Sequence, residues 1–556
     1  MTTIHFWPDD IKVETEPGQS LLEAARAAGV PLESPCNGTG VCGKCRVVVL
    51  AGDLQPGPDD HPSSAVHQLP APQVLACRQL VGQLEAVINI PRAATGLQVH
   101  DQGDSINYAL APRWAKRYDR VGRSTEVLAG GRIITRESGD TSSGLLGLAV
   151  DIGTTTLAVS LINLRDGAEL ASATGLNPQT GLAQDVLGRV HFASEDGGLT
   201  RLQQTVVQAI NQLAGQVAAQ AGRDLNQVYE LVVSGNTCMI HLAAGRNPAA
   251  LGRHPFSPEF RGHALFQAGE LGLAGADCAE VYFPPVISGH VGADIVAGLA
   301  ATGLEERPGV SLFVDIGTNG EMVLAQDGRL LAASTAAGPA FEGMNISCGM
   351  RAAPGAIESY HLEKTGELTV KTIGRARAIG LCGSGLMDVV AELVSHGGLT
   401  AGGRFTPGGG RLAEWLERDG GKTRLRLAEG IYLTQKDIRQ VQAAKAAIRA
   451  GIRLLLDEAG LRPDQVERVL VAGSFGYHLR EAALLALGLL PPEFAGLVTM
   501  VGNTSKSGAR LFLLNEPGRA EAAGLAGRVR HFNLADKPRF QEVFVAAMAF
   551  PLPGRS

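Results

Sequence analysis

One short motif occurs twice in this chain of 556 residues. Each copy is an apolar run that ends in an aspartate and is followed by a Gly-Thr turn; the first copy is 150–155 and the second is 314–319. Apolar runs bounded by a glycine turn predict buried strands at 145–150 and 310–314. Two copies separated by the length of a small domain predict a duplicated α/β fold with one turn in each half.

The composition of these turns is typical of a site for Mg²⁺ and nucleotide phosphates. A glycine lets the backbone approach a phosphate, amides and threonine hydroxyls donate to its oxygens, and an aspartate holds the metal directly or through water. A single Asp-Xaa-Gly sequence ends many ordinary strands, so the prediction depends on the pair. The predicted residues are Asp151, Gly153, Thr154 and Thr155 in the first turn and Asp315, Gly317, Thr318 and Asn319 in the second.

A polar loop after the first turn supplies further candidates. Gln179, Asp185 and Arg189 lie where this loop opens a helix, and they are candidates to face the γ-phosphate. Helix capping explains Asp185 nearly as well. Asp294 lies at a second junction between a loop and a helix. We therefore predict four catalytic carboxylates, leaving open which of the last three positions the attacking water: Asp151, Asp185, Asp294 and Asp315.

Two glycine-containing stretches later in the chain are candidates for the rest of the nucleotide. Gly338 lies among small residues, where a backbone approaches phosphate or ribose easily. The turn Gly473-Ser474-Phe475-Gly476 follows an apolar strand and suits adenine and ribose. Each stretch alone is compatible with ordinary turn chemistry. Their order after the two aspartate turns favours one shared site.

The cysteines are distributed unevenly, since four of the eight lie within the first 80 residues. Cys36, Cys42 and Cys45 share one glycine-rich loop, and Cys77 is distant. This asymmetry is typical of a plant-type [2Fe–2S] site, with one residue more between the first two ligands. A zinc site, which usually shows two close pairs, is the alternative. A hairpin within residues 3–15 and a helix from Ser20 to Ala28 fit a ferredoxin-like unit.

Composition narrows the possible partners. A net charge of −6 gives no case for a nucleic-acid partner, and no apolar run is long enough for a membrane span. The first residues lack the pattern of a signal peptide, so we expect a cytoplasmic protein. Residues 1–92 carry a net charge of −4, which would suit a positively charged redox partner or simply form a solvated surface.

These patterns divide the chain into three regions. Residues 1–92 are the predicted ferredoxin-like domain, 93–144 a linker or small middle region, and 145–556 the nucleotide-binding domain, with halves at about 145–308 and 309–556. In the second half, 434–459 predicts a long helix. Its Lys445 lies close to the apolar stripe, and we expect the side chain to extend to solvent, with nucleotide contact as the alternative.

The paired turns and the late glycine turn resemble those of the actin, sugar-kinase and heat-shock ATPase superfamily. A plant-type ferredoxin domain ahead of such an ATPase resembles the reductive activators of corrinoid proteins. Further segments that carry this resemblance are Ser234-Gly-Asn-Thr with Met239-Ile-His241, 334–343, 379–386, 435–439 with 444–448, and the tail 549–551.

The resemblance implies a β-grasp-like plant-type ferredoxin domain and a C-terminal duplicated ATPase domain. It also implies an ATP-dependent, one-electron reduction of a Co(II) corrinoid to Co(I), with a [2Fe–2S] cluster, ATP and Mg²⁺ as cofactors. The implied partners are a corrinoid protein or cobalamin-dependent methyltransferase, an electron donor such as a ferredoxin, flavodoxin or reductase, and a second copy of the chain. Two departures stand out: only about fifty residues remain for the family's middle domain, and Lys506 stands where an apolar residue is expected.

Three other functions remain open from the sequence. An activator of a 2-hydroxyacyl-CoA dehydratase or aryl-CoA reductase shares the ATPase fold, but it holds its cluster through a Cys-Ala-Ala-Gly-type turn, where this chain has Ser334-Thr335-Ala-Ala-Gly. A small-molecule kinase has no use for a ferredoxin domain. A non-catalytic electron carrier with a nucleotide switch would show no partner-stimulated ATP hydrolysis.

Overall fold

The structure is a computed structural model. It describes residues 1–7, 10–30, 32, 34, 38, 44–52, 54–57, 73–90, 106–363, 365–406, 408, 410–473 and 479–552. Several predicted site residues lie outside the described residues, namely Cys36, Cys42, Ser474, Phe475 and Gly476.

The N-terminal unit is a five-stranded sheet packed against one helix. Its elements are β1 (Thr2–Trp7), β2 (Ile11–Thr15), α1 (Leu21–Ala27), β3 (Arg46–Ala51), β4 (Leu54–Pro56), β5 (Gln73–Leu75), β6 (Gln79–Val81) and β7 (Ala86–Asn89). The sheet order is β2-β1-β7-β3-β5, and β4 pairs with β6. Ile4 and Phe6 alternate inward from β1 onto the buried face of α1. The helix predicted from Ser20 to Ala28 is confirmed as α1, and Ser20 caps it through a reciprocal capping box with Glu23.

A three-stranded antiparallel sheet follows within the region 93–144. It consists of β8 (Trp114–Asp119), β9 (Ser124–Ala129) and β10 (Arg132–Ser138). Trp114 and Val127 are fully buried in a core that this sheet shares with the nucleotide-binding unit. The sheet therefore packs as part of that unit.

The first half of the nucleotide-binding unit is built on a six-stranded sheet. Its elements are β11 (Leu146–Ile152), β12 (Thr156–Asn163), β13 (Glu169–Leu176), α2 (Val186–Ala193), α3 (Gly198–Gln220), β14 (Val228–Gly235), α4 (Thr237–Ala243), β15 (Ala264–Gln267), β16 (Glu280–Phe283) and α5 (Ala293–Thr302). The strand order is β13-β12-β11-β14-β16-β15. The helix α3 covers one face with a continuous apolar stripe.

The second half repeats this arrangement with insertions. Its elements are β17 (Val310–Ile316), β18 (Gly320–Gln326), β19 (Arg329–Thr335), β20 (Ala356–Leu362), β21 (Leu368–Thr372), β22 (Gly380–Leu381), α6 (Gly383–Ser395), β23 (Leu416–Asp419), β24 (Lys422–Ala428), β25 (Ile431–Thr434), α7 (Gln435–Ala459), β26 (Arg468–Ala472), α8 (Glu481–Ala486), β27 (Val498–Gly502), α9 (Thr504–Leu514), α10 (Pro517–Arg528), β28 (Arg530–His531) and α11 (Phe540–Ala547). The main sheet has the order β27-β26-β17-β18-β19-β28.

Five strands of the main sheet are equivalent in the two halves. In each half an antiparallel meander (β11–β12–β13 and β17–β18–β19) is extended by parallel strands beside its first strand, β14 and β16 in the first half and β26 and β27 in the second. The predicted duplicated α/β fold is confirmed. Because equivalent strands end at equivalent positions, the two aspartate turns occupy corresponding edges of the two sheets.

Alternation along β11 and β17 sets the direction of the two aspartates. Leu148 and Val150 enter the core of the first half, while Ala149 faces a separate core that contains α5 and α9. In the second half, Val314 enters the core of that half, while Phe313 faces the core that contains α5 and α9. With a period of two, Asp151 and Asp315 point to the side of α5 and α9, which lies between the two sheets.

The long helix predicted at 434–459 is confirmed as α7, with Thr434 as N-cap and Gly460 as C-cap. The expectation that Lys445 extends to solvent is wrong, and so is the alternative of nucleotide contact. The side chain is 1% exposed; its ammonium donates to the carbonyl of Ala549 and lies 5.1 Å from the ring centroid of Phe550. The tail of the chain folds back over α7 and covers this position, and no local pattern indicates that contact.

The buried Lys445 should give stability a measurable pH dependence. Burial lowers the pKa of its ammonium to about 7 from 10.5, with a smaller contribution from Arg449. Between these two values the unfolded chain holds a proton that the folded chain has lost, so the free energy of unfolding rises with pH, by at most about 1.4 kcal/mol per pH unit. Denaturant unfolding at pH 7 and pH 9 should show that Lys445→Met removes this rise. Lys436→Met, at an exposed site on the same helix, should leave it unchanged; equal slopes in all three proteins would contradict the assignment.

No helix in the described part of the chain has the length and apolar character needed to cross a membrane.

Candidate functional site

The two aspartate turns face each other across a polar cleft between the sheets. The hydroxyls of Thr155 and Thr318 are 3.5 Å apart across it. The turns close in similar ways, since the amide of Gly153 donates to the carbonyl of Thr156 and the amide of Gly317 donates to that of Asn319, at 2.8 and 3.0 Å. Each half therefore presents one tight turn to the same space.

Most of the residues predicted from the sequence line this cleft. They are Asp151, Gly153, Thr154, Thr155, Asp294, Asp315, Gly317, Thr318, Asn319 and Gly473. The structure adds others that were not predicted as site residues: Thr156, Asn236, Ile316, Glu321, Glu342, Asn503 and Ser505. Backbone amides, hydroxyls and carboxylates dominate the lining, as expected of a site for phosphates and a divalent cation.

Five carboxylates line the cleft: Asp151, Asp294, Asp315, Glu321 and Glu342. Burial raises the pKa of Asp315 to about 7, and the charges of Asp151 and Glu342 add to this. The pKa values of Asp294 and Glu321 are also raised, first by burial and then by neighbouring carboxylates. A cluster of mutually repelling carboxylates at the carboxyl ends of strands is stabilised by a bound cation.

The donor set fits Mg²⁺ better than a fully protein-bound metal. Within the described residues, no three histidine, cysteine, aspartate or glutamate side chains are placed to hold a metal ion by themselves. Mg²⁺ keeps several waters and commonly takes one or two carboxylates together with substrate phosphates. Asp151 and Asp315 would supply the carboxylates, and nucleotide phosphates and water the remaining ligands.

The start of α9 reaches the site from far along the chain and holds Asp151. The amide of Asn503 donates to one oxygen of Asp151 at 2.9 Å, and the hydroxyl of Ser505 donates to the other at 2.7 Å. The Ser505 hydroxyl also lies 3.0 Å from that of Ser234 on β14. The only signal in the sequence was the polar segment 502–507 at the end of an apolar strand.

Lys506 in the same segment has a structural explanation. Its side chain is 4% exposed, and its ammonium forms an ion pair with Glu169 on β13 at 3.4 Å. A lysine with a carboxylate partner replaces the apolar residue expected at this buried position.

A second pair of equivalent residues lies beside the turns. Gly235 ends β14 at φ +157°, and Gly473 follows β26 at φ +140°. A Cβ on either glycine would lie 2.6 or 2.5 Å from the carbonyl oxygen of the neighbouring strand, Ile152 or Ile316. Only glycine fits these positions. The duplication therefore extends to the second strand of each half, which places Gly473 in the cleft.

Asp185 and Gly338 were predicted as site residues, and neither lines the cleft. Asp185 is the N-cap of α2, where its carboxylate accepts from the amide of Gly188 at 2.7 Å. The capping alternative describes this contact, and the residue does not line the site. Gly338 lies behind the second turn, where its amide donates to the carbonyl of Thr318 at 2.8 Å. It supports the turn from outside the cleft.

Gln179 and Arg189 support the first turn from beneath and are not among the residues that line the cleft. Both are fully buried. The guanidinium of Arg189 donates to the carbonyl of Thr154 and to the side chain of Gln179, which in turn donates to the carbonyl of Leu202. These contacts fix the backbone of the turn.

Two of the four N-terminal cysteines lie within the described residues, and they are neighbours. Cys45 is 1% exposed at the edge of the ferredoxin-like core, and its sulfur accepts from the backbone amide of Cys77 at 3.5 Å. An amide donating to a cysteine sulfur is the usual surrounding of a cluster ligand. The pair is thus suited to an iron–sulfur cluster.

Family models match most of the chain. The model described as "C-terminal domain of RACo the ASKHA domain" matches residues 309–555, "RACo middle region" matches 146–307, and "2Fe-2S iron-sulfur cluster binding domain" matches 5–81. The N-terminal unit is therefore a [2Fe–2S] domain, and the C-terminal half is an ASKHA domain. The family's middle region matches the first half of the duplicated unit and not the shorter stretch 93–144, where we expected it.

Individual relatives extend over nearly the whole chain. "Corrinoid activation enzyme RamQ" of Eubacterium limosum is 29% identical over 581 residues, with 95% of both chains covered. "[Co(II) methylated amine-specific corrinoid protein] reductase" of Methanosarcina barkeri is 27% identical over 444 residues, covering 73% of this chain and 77% of that protein. The solved structure "Reductive activator for corrinoid,iron-sulfur protein" has a TM-score of 0.75 at 28% identity and covers 99% of both chains.

Proposed function

The chain belongs to the RACo family of reductive activators, and on that premise we propose that it passes one electron to the Co(II) corrinoid of a partner protein, with ATP as the energy source, and so restores Co(I). The observation that carries the proposal is the presence, in one chain, of a [2Fe–2S] domain and a carboxylate-lined cleft with two phosphate-binding turns.

The energetics explain why such a protein needs a nucleotide. A plant-type [2Fe–2S] cluster supplies single electrons near about −400 mV. In a one-electron couple, each 59 mV of mismatch costs about a tenfold factor in the equilibrium constant. The Co(II)/Co(I) couple of a corrinoid lies lower still, so transfer is uphill. Nucleotide binding or hydrolysis supplies the difference by favouring one conformation of the activator with its target.

The chain's own residues divide into two groups in this proposal. Cys36, Cys42, Cys45 and Cys77 hold the cluster. Asp151 and Asp315 hold Mg²⁺, with Asn503 and Ser505 orienting Asp151. Hydroxyls and amides of the two turns bind the phosphates, and Asp294 is placed to orient the attacking water. The proposal includes a homodimer and an electron donor of the ferredoxin, flavodoxin or reductase type.

Anaerobic visible spectroscopy tests the function directly. A cob(II)alamin-containing corrinoid protein is mixed with this protein, a reductant and Mg·ATP, and the spectrum is followed over time. Co(I) absorbance should appear only when ATP and an intact cluster are both present. Formation of Co(I) without ATP would contradict the proposal that ATP drives the reduction. If no corrinoid protein responds while a 2-hydroxyacyl-CoA dehydratase gains activity, the alternative activator function replaces the proposal.

A further inference from the structure

The [2Fe–2S] domain contacts the second half of the nucleotide-binding unit and borders a cavity that it shares with the first half. On the second half, the ammonium of the half-buried Lys44 donates to the carbonyl of Gly349. On the first half, Arg26 and Val30 line a cavity of about 270 Å³ together with Gly181 and Leu182. Lys44 is adjacent in sequence to Cys45, so one of these contacts lies next to a proposed cluster ligand.

The Gly349 contact connects to the second phosphate turn through a short path. The hydroxyl of Thr318 donates to the carboxylate of Glu342. Glu342 is the last residue of a short helix, Pro339–Glu342. The next residue, Gly343, lies directly against Gly349: a Cβ on Gly349 would be 2.1 Å from the carbonyl oxygen of Gly343. Backbone touches backbone here with no side chain between, so a shift of Glu342 is passed to Gly349 without loss.

The segment 343–350 is held firmly at its other contacts. Asp437, which forms the capping box of α7 with the N-cap Thr434, accepts from the amide and the hydroxyl of Ser347 at 2.8 and 3.0 Å. The amide of Met350 donates to the carbonyl of Leu381, and the amide of Leu381 donates to the carbonyl of Cys348. These anchors make the segment a compact unit that responds as a whole.

The first half offers a matching connection. The backbone and side-chain amides of Asn177 donate to the carbonyls of Thr155 and Gly153, both at 2.9 Å. Asn177 caps the turn of helix Pro178–Gly181, which borders the cavity at the [2Fe–2S] domain. In each half, one residue that is hydrogen-bonded to the turn is followed in sequence by a segment next to the [2Fe–2S] domain. This residue is Asn177 in the first half and Glu342 in the second.

We propose that Lys44 is a positioning residue, which docks the cluster loop onto Gly349 in the nucleotide-free protein, and that nucleotide binding weakens this contact through Thr318 and Glu342. The inference rests on the proposed nucleotide site. A bound phosphate takes the Thr318 hydroxyl as a donor and repels the Glu342 carboxylate, because both are acceptors. Glu342 then moves, and Gly343 and Gly349 move with it. Nucleotide binding therefore releases the [2Fe–2S] domain from its contact with Gly349.

Thermodynamic linkage requires the coupling to act in both directions. If nucleotide weakens docking, docking weakens nucleotide binding by the same factor. A change at Lys44, which is remote from the cleft lining, must therefore alter the affinity for nucleotide.

Titration of the cluster-loaded protein with Mg·AMPPNP measures this change in nucleotide affinity. The cluster content of each protein is checked first by visible absorption. Lys44→Met should bind the nucleotide about fivefold more tightly than the native protein, because binding no longer breaks the Gly349 contact. Lys44→Arg retains a donor and should bind with nearly native affinity. Lys12→Met, at an exposed position on β2 of the same domain, should not differ from the native protein.

The outcomes separate this inference from the proposed function. Equal affinities in all four proteins would overturn the role of Lys44 while leaving nucleotide binding intact. Absence of binding in the native protein would overturn the nucleotide site on which the inference rests.

A second measurement needs no variant. Hydrogen exchange of the native cluster-loaded protein, with and without Mg·AMPPNP, reports on the amides of Met350 and Leu381, which anchor the segment. Nucleotide should accelerate exchange at both amides, because movement of 343–350 strains these hydrogen bonds. Unchanged or slower exchange at both would contradict the proposed movement.

Discussion

Replacing Cys45 by serine should remove the visible absorption of the [2Fe–2S] cluster and abolish corrinoid reduction, lowering the rate by on the order of 100-fold or more. A serine oxygen is a poor substitute for a thiolate ligand of iron. Cys45 is buried in the ferredoxin-like core beside Cys77, so water does not readily replace the missing ligand. Nucleotide affinity should change by no more than the few-fold factor expected from undocking the cluster loop.

The chain provides a matched control for this substitution. Cys278 is a free, partly buried cysteine in the first half of the nucleotide-binding unit, with a pKa raised mainly by burial. Cys278→Ser should retain the cluster absorption and the full rate of reduction. Full absorption in Cys45→Ser would exclude Cys45 as a ligand. Complete loss of nucleotide binding in that variant would contradict the assignment of cluster and nucleotide to different domains.

Local sequence patterns predicted the parts of the fold that local forces determine. Hydrophobic periodicity and capping residues that lie within a few positions of one another predicted the strands β11 and β17, the start of α1 and the limits of α7. The paired motif also predicted the duplication, because equivalent turns in two halves require equivalent strands. The two aspartate turns could therefore be located from the sequence.

Contacts between segments that are distant in sequence could not be predicted from local patterns. Asn503 and Ser505 reach Asp151 from more than 350 positions along the chain, and nothing near them indicates their partner. Asp185 is the opposite case. Its position before a helix has a local explanation, N-capping, and the structure shows that contact. A local role of this kind accounts for the polar residue without any contact to the cleft.

The return of α9 and α10 to the first half has a consequence for the site. Arg519 on α10 forms a buried ion pair with Glu230 on β14 at 2.8 Å, and α9 packs against α5 so closely that a Cβ on Gly508 would lie 2.2 Å from the carbonyl oxygen of Ala297. The helices α5 and α9 both begin at the cleft, with Asp294 and Asn503. A nucleotide that contacts these residues therefore acts on the packing between the two halves.

Asp315→Asn should lower the affinity for Mg²⁺-bound nucleotide by about 10- to 100-fold and remove ATP-dependent corrinoid reduction, while the cluster absorption stays unchanged. Asparagine has nearly the same shape as aspartate, so packing at the end of β17 is preserved and only the charge is lost. Titration with AMPPNP in the presence and absence of Mg²⁺ measures the effect. The affinity for metal-free nucleotide should not fall, because a carboxylate that repels phosphate has been removed.

Asp185→Asn is the decisive control for this result. Both residues were candidates for the same site, but Asp185 caps α2 outside the cleft, and asparagine is an equally good N-cap. This variant should therefore bind Mg·AMPPNP with native affinity. If Asp185→Asn lost affinity as strongly as Asp315→Asn, the carboxylate at 185 would have to reach the nucleotide in the loaded protein. The loop before α2 would then move on binding, and the cleft would include a fourth aspartate. Native affinity in this variant, together with the loss in Asp315→Asn, restricts the metal-binding carboxylates to the strand ends, where the duplication of the fold places them.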